Sequence, residues 1–372
     1  MKIGLFTDSF NKEEPSGVYN AIYLLKKGLE EIGNEVFIFS PGTKKQKQKA
    51  DNRTFYFTST HFKEYPDFRI AVFPFLSTTD VVKKLDLDLI HIIAVGTMGI
   101  AGIKTAETLG IPKIATIPII PQKLIESTLT NSVKEMVEKL ALKYLRWFYN
   151  HFETVICPSE YAKRIMEKEV SINITDVIPF GIDYEFFSSR DLNKNKNYLV
   201  TGGRLVKEKN IQSIIDSMNS IININPHTKL TIFGDGPYKK YIEERIKANN
   251  IEKNVKLTGF LPKSKLKDIY KKSSIFLFPS SSDAQSLSVI ESMASGVVPL
   301  AKEESCLKEI VDKGVGLTYK DKMDLPKKIN ELNKIINKDM RERAKQIAKE
   351  FSYAKIAEKY SEIYKKVKSK KI

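Results

Sequence analysis

The sequence predicts an α/β protein of two domains, each built on a mostly parallel sheet. Short runs of β-forming apolar residues alternate with amphipathic helical stretches along the chain, the pattern of parallel βαβ units. Its 372 residues leave room for two domains of about 150–200 residues each. A polar segment from Ser188 to Asn197 separates two halves of similar pattern and is the linker candidate, with the boundary near 185–196. Two such halves predict facing Rossmann-like domains, residues 1–185 and 186–352, with a cleft between them.

In the first half, strands are expected near 2–7, 35–40, 53–58, 88–93, 112–117, 154–157 and 174–178. In the second they fall near 197–202, 228–233, 254–258, 274–278, 297–301 and 315–318. Helices fill the gaps, most regularly over 20–32, 98–109, 131–149, 210–222, 238–248 and 325–336. The last helix, in the segment 353–372, runs from Ala354 to Lys366 and puts Ile356, Tyr360 and Tyr364 on one face.

Composition narrows the class. No run of about 18 apolar residues occurs, so no spanning helix is expected. Asp8 and Asn11 interrupt any signal-peptide core at the start. Cys157 and Cys306 are the two cysteines, too few for a disulfide framework, which points to the cytoplasm. The net charge of +16 is uneven: residues 1–200 hold 26 Lys/Arg against 24 Asp/Glu, and residues 201–372 hold 35 against 21. Nucleotide phosphates, nucleic acid or an anionic membrane surface could take such a basic half, and so could a lysine-rich composition with no function attached. No nucleic-acid module or zinc spacing is present, so no nucleic-acid partner and no metal are expected.

The chemistry concentrates in the second half. Asp283 and Glu291 lie eight positions apart, bracketing a polar turn that follows a buried strand and opens a small-residue helix. Unpaired N–H groups at such a helix start favour phosphate, and flanking acids can hold hydroxyls. An ordinary strand–loop–helix with two surface acids is the plain alternative. Upstream, Gly202 and Gly203 precede Arg204, and Lys209 follows five residues later. Two fixed cations at a strand end can stabilise a departing diphosphate, although a basic turn would look similar. Gly234 and Gly236 in Ile232–Pro237, and Gly259, Phe260 and Leu261 in Lys256–Pro262, form further strand-to-helix turns.

These motifs resemble those of the family 4 glycosyltransferases, with Asp283 in place of the first Glu of their Glu-x7-Glu pair. The resemblance covers roughly residues 1–366. It implies a GT-B fold, with the final helix crossing back to the first domain. It also implies a retaining, metal-independent hexosyltransferase using a nucleotide sugar, a UDP-hexose rather than a GDP-hexose. Arg204 and Lys209 would then neutralise the diphosphate and Asp283 hold the sugar. Glu291 would hold the ribose, Ser286 and Leu287 would offer backbone N–H groups, and Gly203, Gly234, Gly259, Phe260 and Leu261 would line the donor. Gln285 at the third position of the acidic motif resembles a subgroup that glucosylates diacylglycerol. That points to a membrane lipid or lipid-linked glycan as acceptor, with the enzyme peripheral on the inner face of the membrane.

In the first domain the turn Pro15–Ser16–Gly17 resembles the family's glycine-rich loop against the donor, or a helix entry capped by Ser16. Gly181 resembles a hinge-side turn that needs an unusual backbone conformation. His91 matches the first histidine of a His-x-His and is the acceptor-side candidate, a structural role being the alternative. Asp86 and Asp88 precede a strand and are expected to be solvated. The amphipathic stretch 123–149, with Trp147, offers a docking face or a core face, Leu140 included. Two departures stand out: Ala115 replaces a histidine that touches the donor sugar, and Ser286 replaces a glycine. They motivate the alternative of a degenerate nucleotide-sugar binder; an epimerase on the same fold is a further alternative.

Overall fold

The computed structural model describes residues 1–11, 16–48, 50–61, 69–72, 74–120 and 131–370, with the side chains of 131–135 excepted. Pro15 and the first part of the 123–149 stretch lie outside them. The chain forms two compact units: one takes the described residues up to Gly181 and the helix Tyr353–Ser369, the other Ile182–Ser352.

The first unit's strands are β1 Lys2–Phe6, β2 Glu35–Gly42, β3 Thr54–His61, β4 Arg69–Ala71, β5 Leu89–Ile92, β6 Lys113–Thr116, β7 Val155–Cys157 and β8 Asp176–Val177. They order as β4-β3-β2-β1-β5-β6-β7-β8, parallel except for the short β3–β4 pair. Chain direction along the sheet therefore reverses between β1 and β5. Phe6 and Phe39 stack at 4.4 Å in the core beside it. The helix Tyr353–Ser369 buries Ile356, Tyr360 and Tyr364 in this unit. It lies against the helix Gly17–Glu31 at Gly28, where an added Cβ would stand 2.7 Å from that of Ala357.

Gly181 corrects one expectation. It is absent from the residues with positive φ. A Cβ there would sit 2.6 Å from the Tyr353 Cα, so closeness of two chain segments, not backbone conformation, explains the glycine.

The second unit's strands are β9 Tyr198–Gly202, β10 Lys229–Phe233, β11 Val255–Leu257, β12 Ile275–Phe278, β13 Val298–Lys302 and β14 Leu317–Tyr319. Their order, β11-β10-β9-β12-β13-β14, is the doubly wound 3-2-1-4-5-6 arrangement, parallel throughout. Both faces are covered, and all four residues of β12 are buried. The segment 188–197, expected as a linker, is packed into this unit. Leu192 Cδ2 comes within 2.4 Å of where a Cβ on Gly296 would stand, and Lys194 Nζ donates to the Tyr270 and Lys271 carbonyls.

Candidate active site

Ligands of doubly wound sheets bind beyond the carboxyl ends of the strands, where strand order reverses. In the second unit that point lies between β9 and β12. The turn after β9 carries Gly202, Gly203 and Arg204; the turn after β12 carries Asp283, Gln285 and Ser286. Lys209, in the short helical turn Lys207–Lys209, forms an ion pair with Asp283 Oδ1. The two turns thus meet through side chains 74 residues apart in sequence. Asp283 Oδ2 is buried and has no hydrogen-bond partner among the described residues. A buried acceptor without a donor is costly, so this oxygen is suited to a ligand hydroxyl.

Beyond Asp283, Ser286 opens the helix Leu287–Ala294 without a side-chain cap. The first-turn N–H groups have no intrahelical acceptors and carry the positive end of the helix dipole. Glu291 is one turn further on. Burial pushes its pKa up to about 7, against the pull of Lys263 and with the Asp183 carboxylate adding to it. Cys306 lies buried close to Asp283 and Lys209; burial first, then the Asp283 charge, hold its thiol well above the usual range. Spacing gave no sign of Cys306, which reaches the site from the turn after β13.

The glycine turns are sewn to one another. Gly203 N–H donates to the Phe233 carbonyl at 3.1 Å, Leu205 N–H to Asp235 at 2.8 Å, and Gly234 N–H to Gly259 at 2.8 Å. Gly234 has φ +112°, and an added Cβ would stand 1.8 Å from the Gly203 carbonyl oxygen. Its missing side chain makes room for the neighbouring turn. Gly203 differs: at φ +128° it would place a Cβ in open space. Phe260, on the turn after β11, is 60% exposed.

The first unit has the same kind of reversal between β1 and β5, and its own chain fills the anion seat there. Asp8, just past β1, accepts N–H bonds from Gly96 at 2.7 Å and Met98 at 3.0 Å, where the helix Thr97–Leu109 begins. Burial raises its pKa to about 6 in spite of both donors. The carboxylate takes the place a bound phosphate would have. Gly17 starts the helix Gly17–Glu31 behind Ser16, which caps it by accepting from Tyr19 N–H; a Cβ on Gly17 would meet nothing.

His91 is not on the acceptor side. It lies inside β5, fully buried, with Nδ1 2.8 Å from the Tyr364 hydroxyl and Nε2 2.7 Å from Thr116 Oγ1. Nδ1 ties the last helix to the sheet, Nε2 joins β5 to β6, and burial lowers the pKa to about 3. Asp88 is likewise engaged, accepting the Lys2 N–H and pairing with Lys368. Ala115 is buried within β6, and pairs with Ile92.

Comparison with known proteins fits this geometry. Residues 184–351 match the family "Glycosyl transferases group 1", and residues 15–186 match "Glycosyltransferase Family 4". The alpha-monoglucosyldiacylglycerol synthase of Streptococcus pneumoniae is 30% identical over 343 residues, 87% of this chain and 76% of the relative. The chain belongs to glycosyltransferase family 4. A second alpha-monoglucosyldiacylglycerol synthase, from Acholeplasma laidlawii, is 24% identical over 84% of this chain and 83% of its own. The solved structure of Anabaena HepE in complex with UDP superposes with a TM-score of 0.76 at 17% identity, over 98% of this chain and 100% of that one. The family 4 enzyme is therefore a GT-B protein, and retaining hexosyl transfer from a nucleotide sugar is its activity. The degenerate and epimerase alternatives are not favoured by these relatives.

Proposed function

We propose that this enzyme transfers glucose from UDP-glucose to the free hydroxyl of a diacylglycerol-type lipid at a membrane surface. The observation that carries the donor half is the meeting of Lys209 and Asp283 at the strand-order reversal, beside Arg204 and an uncapped helix start. In this reading the donor diphosphate rests on the first turn of the helix Leu287–Ala294. Arg204 and Lys209 stabilise the charge that builds as the bond from C1 to the phosphate oxygen breaks. Asp283 Oδ2 accepts from a sugar hydroxyl and Glu291 from the ribose, with the base near Gly259, Phe260 and Leu261. The acceptor oxygen bonds to C1 from the face the diphosphate leaves, so configuration is retained. Its proton passes to the leaving phosphate, and the protein supplies orientation and charge rather than a nucleophile.

The acceptor half is supported by the names of the two synthases, by Gln285, and by the outer face of the helix Asn131–Tyr149. Met136, Leu140 and Trp147 are 59%, 58% and 49% exposed. They lie within about 40° of one another on a helix of 3.6 residues per turn. The exposed cations Lys139, Lys143 and Arg146 flank them on one side. An apolar stripe edged with cations suits the headgroup region of an anionic bilayer. Leu140 thus belongs to the outer face and not to the core.

The test is transfer from labelled UDP-glucose, UDP-galactose and GDP-mannose to diacylglycerol in vesicles. We expect an α-linked glucolipid from UDP-glucose. Preference for the GDP sugar would overturn the donor reading. Efficient transfer to a soluble sugar with no lipid product would overturn the acceptor reading.

A further inference from the structure

The packed segment 188–197 forms one wall of a cavity of about 470 Å³ whose other wall is the start of the helix Lys338–Lys349. Its charged lining comprises Arg190, Lys194, Lys196, Lys338 and Arg341, against a single acid, Asp191. Lys194 and Arg341 are 7% and 4% exposed. Carbonyls hold both heads: Lys194 Nζ donates to Tyr270 at 2.8 Å and Lys271 at 2.9 Å, and Arg341 to Gly296 at 2.9 Å and Ser274 at 3.2 Å. Carbonyl dipoles satisfy hydrogen bonds without cancelling a net charge. Neither cation forms an ion pair among the described residues, and Asp191 spends one oxygen on the Asn193 N–H. Two buried like charges without an anion are unfavourable, and a bound anion would recover that cost.

Ser274 precedes β12 and Asn197 precedes β9, so this cavity lies at the amino ends of the strands, the opposite edge of the sheet from the donor seat. Leu192 and Ile336 are its only two apolar lining residues; Leu192 packs against Gly296 and Ile336 is buried, so the polar and charged side chains give the cavity its character. We propose that this cavity is a second ligand site, taking a small soluble anion of the phosphate or phosphate-ester class and clamping residues 190–196 to the helix Lys338–Lys349.

Thermal unfolding and calorimetry of the full chain with phosphate, and with sulfate as a tetrahedral anion that does not titrate near neutrality, test this against sodium chloride of equal ionic strength. We expect saturable stabilisation that persists in Arg204→Ala/Lys209→Ala, where the donor seat is disabled. In Arg190→Ala/Lys338→Ala, whose altered side chains are exposed, affinity should fall by about tenfold or more, the loss expected of a charge-assisted hydrogen bond. Sulfate affinity should also fall as pH rises from 6 to 8.5. Burial, then Arg341, lower the Lys194 pKa to about 7, with Lys345 adding to this and Asp191 opposing it, so the ammonium loses its proton in that range. Stabilisation matched by chloride, or unchanged in Arg190→Ala/Lys338→Ala, would overturn the site. Stabilisation lost in Arg204→Ala/Lys209→Ala would assign it to the donor seat instead. Binding to anionic vesicles but not to free phosphate would overturn the soluble ligand in favour of a lipid headgroup.

Discussion

The ion pair between Lys209 and Asp283 fixes what each can offer a donor. Lys209 pairs with Oδ1, and the buried Oδ2 is left to accept from a hydroxyl. Under the proposed function, Arg204→Ala and Lys209→Ala should each lower kcat by roughly 10²–10³, the loss typical of a group that stabilises developing charge. Because Lys209 and Asp283 act together, Lys209→Ala/Asp283→Asn should lose less than the product of the two single losses. Steady-state rates of folded variants decide both, and near-native turnover in the single cation variants would refute the role. Glu291 gives a pH prediction. Its pKa stands near 7, raised from 4.5, so the carboxylate that would accept ribose hydroxyls under the proposed function is present mainly above neutrality. Donor affinity should therefore rise between pH 6 and 8 and lose this dependence in Glu291→Gln; titration of UDP binding reads it. At this scale the sequence singled out Arg204, Lys209, Asp283 and Glu291 because local spacing carries them, and the fold brings Lys209 and Asp283 together. Asp8 was hidden, since its donors lie 88 and 90 residues away.

Elements were legible where periodicity is long and unmixed. The helix Asn131–Tyr149 matches the expected bounds, and every expected strand has a counterpart, because buried parallel strands are short apolar runs. β4 was missed: three residues of an antiparallel edge have too little pattern to register. The last helix illustrates a role that periodicity could not reveal. Its face of Ile356, Tyr360 and Tyr364 was predicted, but not that Tyr364 and Thr116 would hold His91 between them. Tyr364→Phe should cost about 1–3 kcal/mol, because the buried Nδ1 of His91 is left without a partner. The imidazole is neutral in the folded chain and titrates near 6.5 once unfolded. It contributes stability above pH 6.5 that is lost as pH falls from there toward 3. Denaturant melts of the wild type and Tyr364→Phe at pH 7.5 and 5 measure both effects. An unchanged midpoint in the variant would show that the clasp contributes nothing.

Charge and apolar exposure decide where the whole molecule works. The basic excess of residues 201–372 does not by itself distinguish a membrane surface from a lysine-rich composition, whereas the first unit presents a stripe with the chemistry of an interface. No helix among the described residues is long and apolar enough to cross a bilayer. The stripe's two contributions are separable. Trp147 and Leu140 supply apolar area, each worth up to about 1.5–3 kcal/mol when fully buried. Lys139, Lys143 and Arg146 add about 1 kcal/mol each near an anionic surface. Flotation with vesicles containing anionic lipid should therefore fall by about tenfold or more in Trp147→Ala/Leu140→Ala, at any salt concentration. Replacing the three cations with Gln should weaken binding at 0.1 M salt, where the Debye length is about 10 Å, and change little at 1 M, where it is about 3 Å. If the stripe were an incidental exposure, both variants would float like the wild type while transfer to vesicle-borne diacylglycerol continued. That result would move the docking surface elsewhere on the chain and leave the donor roles proposed for Arg204, Lys209 and Asp283 untouched.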